Sequence, residues 1–401
     1  MTDLGKNSKY HTGAADDTVS AQYALEQALA ELGNLPEGFQ VEVEVLPTDE
    51  ADFQSRLTRL RTEIMSGLWP DIYVLSTDDY LPFDSQERLF PDANKAMLDG
   101  YFLQLDDYIE NAQYMKLEEM NSVVMDAGCT PEGRFMLPMR YTFSFSRINE
   151  SVTDSGGSWN EVIFGNEEIM AVSYAKASLH YFHSIFRDTV DHKTKTLTFS
   201  EEELYESVAA ALDIDGILEE KTVVGSFANI FLVSGEDSEV WTSESKEFAA
   251  FVPLRNTEGG VSAGVTSFIA ISKDTPYPEE AFHVVDVMMS KQFQKGEPFW
   301  EIYGTPAPIA VFSASTGVPV YDDLYQESQP VNCERYIGEE MFPLYCELRD
   351  KITDARIITN VDKVIDDLCL QAWVDELKPG DELKKLVSQA YDKMTLMAGE
   401  M

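Results

Sequence analysis

Asp78, Asp79 and Tyr80 come just after the apolar run Ile72-Tyr73-Val74-Leu75 and set two carboxylates beside a phenol ring. Carboxylates accept hydrogen bonds from hydroxyl groups and an aromatic ring packs on an apolar ligand face, so the trio suits a polyhydroxylated small molecule; the competing reading is a solvated loop. Arg140 and Tyr141, shortly after Pro138, pair a guanidinium with a second phenol, against the alternative of an ion pair and a packed ring. Ser226, Phe227 and Asn229 stand at the end of the apolar run that starts at Thr222, and Trp300 and Tyr303 precede Gly304-Thr305-Pro306. A tryptophan following a helix is more often core than contact. These ten residues are the candidate ligand contacts.

Other chemistry is poorly provided for. His180 and His183 share one side of a helical stretch with Asp188, Asp191 and His192 close in sequence, but Phe182, Ile185 and Phe186 claim the same turns for packing, so no metal is expected. Asp213-Ile214-Asp215-Gly216 is only a fragment of a calcium loop without the acid at its twelfth place, and reads as a turn ending the preceding helix. There is no Gly-x-Ser-x-Gly elbow, no Gly-x-x-x-x-Gly-Lys phosphate loop and no His-Glu-x-x-His. Among 71 acids no carboxylate pair for glycoside hydrolysis singles itself out. The reading is therefore no catalytic residue, no cofactor and no metal. Cys129, Cys333, Cys346 and Cys369 lack ligand spacing and are expected as free thiols, with one bridge among the last three as the alternative.

Acids outnumber bases 71 to 30, a formal charge of -41, which repels nucleic-acid phosphate and anionic lipid and favours a solvated surface. No stretch approaches the ~20 apolar residues of a membrane span. At 401 residues, 44% of them hydrophobic, the chain is long enough for about two to three domains with sizeable cores.

The elements that must position the candidates begin with a strand, helix, strand unit. Phe39, Val41, Val43 and Val45 alternate with polar residues, predicting a strand buried on one face. Phe53, Leu57, Leu60 and Ile64 then mark one side of a helix with Arg56, Arg59 and Arg61 on the other, and Gly67 stands where a left-handed C-cap is wanted. Pro70 stops the helix, and Asp71 to Leu75 has the density of a strand covered on both faces. The assembly predicted is a right-handed crossover joining parallel neighbours, with ligands beyond the carboxyl end at Ser76, Thr77, Asp78, Asp79 and Tyr80. Elsewhere the pattern predicts helices at 19–32, 93–98 and 105–111, a long strand over 137–145, mostly helix over 159–220, a strand from Thr222 to Phe227, a helix from Glu279 to Gln292 and helical packing from Glu339 to Ala398.

Four segments carry a family resemblance. Thr62-Glu63-Ile64-Met65-Ser66-Gly67 with Pro70-Asp71-Ile72, Gly133-Arg134-Phe135-Met136-Leu137-Pro138, Ser158-Trp159-Asn160-Glu161, and Ile269-Ala270-Ile271-Ser272-Lys273 through Ala281-Phe282-His283-Val284-Val285 occur in the order and approximate spacing of the family. They resemble the extracellular solute-binding proteins of ATP-driven (ABC) importers, family 1, the maltose-binding-protein-like group, over most of the chain. The chain departs from that pattern in its polar, Gly-containing residues 1–17, where the family has a strand, and in Phe145-Ser146-Arg147-Ile148-Asn149 and Gly156-Gly157-Ser158.

The resemblance implies an α/β, two-domain periplasmic-binding-protein-like fold of type II, with three-layer α/β/α domains joined by a multi-strand hinge. It implies an N-terminal lobe of 1–139 plus 266–308, a C-terminal lobe of 143–262 plus 312–401, and crossings near 138–145, 259–266 and 304–311. Arg140 and Tyr141 then lie on the first crossing strand, and Trp300 and Tyr303 where the family places aromatics before its last crossing. The function implied is capture of a solute, foremost a sugar or oligosaccharide, by a monomer that closes about its hinge and hands the ligand to an ABC permease. The location implied is extracellular, as a cell-surface lipoprotein or in the periplasm, with the secretion signal or lipid-anchored cysteine upstream of this sequence. The rival readings are a carbohydrate-active enzyme using paired carboxylates and a secreted glycan-binding scaffold without a permease.

Overall fold

Phe53, Leu57, Leu60 and Ile64 do line one side of a helix, Glu50–Met65, in the computed structural model of the chain. The structure describes residues 22, 25–26, 28–30, 39–44, 46, 50–67, 70–76, 89–90, 92–148, 154, 156–165, 168–215, 222–226, 250–295, 318–321 and 342–400. The chain divides into two compact units, one of 1–141 with 265–333 and one of 142–264 with 334–401.

In the first unit the Glu50–Met65 helix ends as its sequence demands. Gly67 takes φ +68°, and its N–H donates to the Ile64 carbonyl at 3.0 Å, a conformation that a side chain would strain. On the outer side Arg56 binds Glu44 and, at 2.9 Å, Glu63, which also accepts from Arg59 at 2.8 Å. The strand Ile72–Ser76 follows, with Tyr73, Val74 and Leu75 all buried, as a strand covered on both faces requires. Tyr73 packs against Phe90 and Phe102, with ring centroids at 5.2 and 5.8 Å. Val261–Ile271 neighbours this strand, followed by Met136–Thr142 and the short edge Val318–Pro319.

Two expectations fail here together. Residues 39–44 show the alternating burial of a half-buried strand but are not one, because their backbone has a side chain for a neighbour: the Gln22 amide donates to the Val41 carbonyl and accepts from the Val43 N–H. No parallel crossover is seen among the described residues. Ile72–Ser76 pairs antiparallel with Val261–Ile271, in the register Ile72 to Ile271 and Ser76 to Ser267.

The second unit is built around Ser144–Ile148, flanked antiparallel by Thr222–Ser226 and Ala250–Pro253. The strand predicted over 137–145 is thus two, Met136–Thr142 and Ser144–Ile148, broken at Phe143. Against the sheet lies the helix Glu168–His180, which Trp159–Ile163 and Glu201–Asp215 pack upon, with Asn360–Val374 and Asp381–Glu400 completing the core. Trp159 is fully buried against Phe182, and its helix starts at a reciprocal cap in which the Ser158 N–H donates to Glu161 at 2.8 Å. The stretch 159–220 is less helical than its composition suggests, since Val190–Asp191 and Thr196–Leu197 form a hairpin inside it. The C-terminal stretch likewise contains a strand, Ile352–Ile357, held to Val261–Ile271 partly by the Val261 N–H donating to Thr353 Oγ1 at 3.0 Å. The helix predicted over 279–292 is observed as Pro278–Met288, with a separate short helix at Lys291–Lys295.

A buried ion pair organises this unit. Asp362 has no exposed surface and accepts from Arg356 at 2.9 Å, Thr189 at 2.8 Å and the Thr359 N–H at 2.7 Å. Burial works to raise its carboxyl, but the Arg356 and His183 charges and these hydrogen bonds outweigh it and hold the group below the usual carboxylate range. Among the described residues Cys129, Cys346 and Cys369 form no disulfide, and Cys333 lies outside the described residues.

Candidate ligand-binding residues

The strand Ile72–Ser76 carries the chain toward Asp78, and its carboxyl end pairs with Ser267. Asp78, Asp79 and Tyr80 themselves lie outside the described residues, as do Phe227, Asn229, Trp300 and Tyr303. Ser226 closes the strand Thr222–Ser226 opposite Ser144. Arg140 is half-buried and faces Pro319 in register, while Tyr141 faces Val318 and has 0% of its surface exposed. Tyr141 is thus first of all a core ring of its unit.

One residue at this strand end escaped the sequence reading. Ser267 is fully buried, and its Oγ has no hydrogen-bond partner among the described residues. A buried hydroxyl left unmatched costs about 1–3 kcal/mol, so the partner of this one is to be sought outside the described residues. No signal in the apolar run Val265 to Ile271 distinguishes it from its neighbours.

The second unit holds a charge cluster that the sequence also hid, because its members are far apart along the chain. Asp154 binds Arg255 at 2.8 Å and Lys351 at 3.2 Å and accepts the Gly156 N–H at 3.0 Å. Burial pushes its carboxyl up, but these partners prevail and hold it at about 2. Arg255 also donates to the Gly259 carbonyl at 3.0 Å, fixing the glycine turn, φ +88°, that leads into Val261–Ile271.

Of the histidines weighed as metal ligands, His183 is engaged by a carboxylate, whereas His192 Nδ1 has no hydrogen-bond partner among the described residues. His183 Nδ1 bonds the Asp366 carboxylate at 2.6 Å, and its N–H donates to the same carboxylate at 2.9 Å. The side chain of His180 lies outside the described residues. Among the described residues, two cavities open in the first unit. The larger, about 930 Å³, lies among Val41, Val43, Ile72, Val74, Ala281 and Met288; the smaller, about 510 Å³, lies beside Tyr108 and His283. Neither is lined by any of the ten candidate contacts among the described residues.

No protein-family model matches the sequence, and no curated protein matches it. Solved structures match its fold over nearly its whole length. An extracellular solute-binding protein family 1 from Alicyclobacillus acidocaldarius is 11% identical with a TM-score of 0.54, covering 95% of this chain and 96% of that one. A periplasmic oligogalacturonide binding protein from Yersinia enterocolitica is 14% identical with a TM-score of 0.54, covering 97% of each. A structure described as a de novo designed cysteine esterase is 13% identical with a TM-score of 0.55, covering 97% of this chain and 96% of that one. The chain has the two-domain α/β fold of the extracellular solute-binding proteins.

Proposed function

We propose that this protein captures a small solute outside the cell and delivers it to the permease of an ATP-driven importer, without chemistry. The observation that carries this reading is the likeness in fold to solute-binding proteins over 95% and 97% of the chain. A sugar or oligosaccharide is the ligand class proposed, on the strength of the oligogalacturonide that the Yersinia protein binds and of the carboxylate, amide and aromatic candidates. With a charge of -41, a neutral sugar suits this chain better than a polyuronate.

In this reading Asp78, Asp79, Tyr80, Arg140, Tyr141, Ser226, Phe227, Asn229, Trp300 and Tyr303 supply the contacts. The lobes of 1–139 plus 266–308 and 143–262 plus 312–401 close about crossings near 138–145, 259–266 and 304–311. A ligand that binds only the closed form draws the population toward it, and the apparent affinity includes the cost of closing. The working species is a monomer, held at the cell surface as a lipoprotein or free in the periplasm. Among the described residues no helix is long and apolar enough to cross a membrane.

The test is a thermal-shift screen over neutral mono- and oligosaccharides, uronates, amino acids and peptides. Ligand at a hundred times its dissociation constant adds about 2.7 kcal/mol of stability. A neutral sugar is expected to give the largest upward shift. Shifts confined to amino acids or peptides would replace the ligand class, and turnover of the sugar would replace capture by catalysis.

A further inference from the structure

Among the described residues the strand Ile72–Ser76 has a strand neighbour on one edge only, Val261–Ile271. The Ser272 N–H donates to the Asp71 carbonyl at 2.8 Å, and along an antiparallel strand the edge to which N–H and C=O point alternates from residue to residue. Asp71, Tyr73 and Leu75 therefore bond toward Val261–Ile271, whereas the N–H and C=O of Val74 turn to the opposite edge. Val74 is 3% exposed, and neither of these backbone groups has a partner among the described residues. Such groups are rare on a buried strand, because they give up water and gain nothing in return.

The open edge borders the larger cavity, about 930 Å³: Ile72 and Val74, the residues turned to that edge, line it, and Tyr73 and Leu75 do not. The extended stretch 39–43 lines it too. That stretch joins no ladder among the described residues, and Val41 and Val43 are met by the Gln22 amide, which offers one donor and one acceptor as a neighbouring strand would. Two extended segments, each short of a strand neighbour, thus line one cavity. Its interior is apolar, with Leu25, Ala281, Val284 and Met288 beside the valines. Glu26, Glu42, Asp71 and Glu280 also line it, with no lysine or arginine, so its charge is of one sign.

We propose that this cavity takes an extended apolar peptide segment of a partner chain, added as a strand to the open edge of Ile72–Ser76. The segment's N–H and C=O complete the ladder at Val74, its inward side chains pack on Val41, Val43, Ala281 and Met288, and basic residues flanking the apolar run meet Glu42 and Glu280. An apolar small molecule would fill the same space and leave Val74 unmatched, so the open ladder selects a peptide. The cavity lies within the first unit and uses none of the ten residues assigned to solute capture, so the inference stands independently of that reading.

The test is calorimetric titration of the whole chain with the peptide acetyl-Lys-Val-Thr-Val-Thr-Val-Lys-amide at about 0.15 M salt, where diffuse attraction to the acidic chain is largely screened. Wild type is expected to bind one equivalent saturably, with amide hydrogen exchange over residues 70–76 slowed at saturation. The same peptide with every backbone amide N-methylated keeps its side chains and loses its ladder donors, and is expected to bind at least about tenfold more weakly. Replacing each valine of the peptide by serine is expected to abolish binding, and Glu42→Gln with Glu280→Gln in the protein to weaken it about threefold, the worth of exposed ion pairs. No saturable binding by wild type, equal binding of the N-methylated or serine peptide, unchanged affinity in the Glu42 and Glu280 variant, or unaltered exchange over 70–76 would each overturn the proposal.

Discussion

Asp154 holds its charge against burial because Arg255, Lys351 and the Gly156 N–H all favour the ionised form. A carboxyl at about 2 in the folded unit and near 3.8 otherwise contributes stability that is complete above about pH 5 and is lost as pH falls through 2. Asp154→Asn is therefore expected to lower the melting temperature at pH 7 and to converge on wild type near pH 2, as melting curves across that range would show. A gap that persists unchanged at pH 2 would mean the ion pairs are not its source. Asp78 and Tyr141 call for a different design, since Tyr141 is fully buried. Truncating a large buried ring costs about 3–5 kcal/mol, so Tyr141→Ala would confuse unfolding with lost contact, and Tyr141→Phe is the cleaner probe. In calorimetric titrations with the sugar that most raises melting, Asp78→Ala is expected to lose about 1.5–3 kcal/mol of affinity, the worth of a hydrogen bond to a charge. Wild-type affinity in both Asp78→Ala and Tyr141→Phe would place the ligand elsewhere.

At the scale of elements, what the sequence made legible was local. The Glu50–Met65 helix, its apolar side and the left-handed Gly67 all follow from period and capping, and the Ser158 cap from a serine three residues before a glutamate. Pairing was the part that failed. Residues 39–44 carry the alternation of a strand, but alternation reports burial and not a ladder, and the Gln22 amide is what meets Val41 and Val43. Ile352–Ile357 was missed for the opposite reason, since Asp354 and Arg356 interrupt any alternation and its place depends on Val261–Ile271, about ninety residues earlier. The Asp154 cluster and the orphaned Ser267 hydroxyl are tertiary in origin and had no sequence signal. Thr359 shows how a local signal and a buried network coincide. It caps Asn360–Val374, and its N–H and hydroxyl both donate to the buried Asp362. Thr359→Ala is expected to cost about 1–2 kcal/mol, at the upper end for a cap, by denaturant titration. A change under a few tenths would show that water replaces the hydroxyl.

For the whole molecule, the fold narrows the account more than any single residue does. The likeness to solute-binding proteins runs over nearly the full chain at 11–14% identity, so what is shared is architecture, and the ligand must be found by experiment. The carboxylate, amide and aromatic candidates are the groups that the proposed capture of a neutral polyhydroxylated solute would use. Capture by hinge motion makes a demand that neither an enzyme with a fixed site nor a rigid glycan-binding scaffold makes: the molecule must change shape when its ligand arrives. Small-angle scattering of the protein, alone and saturated with the sugar that most raises its melting temperature, tests this most directly. The account predicts a smaller radius of gyration in the bound protein; an identical scattering curve at saturation would contradict it.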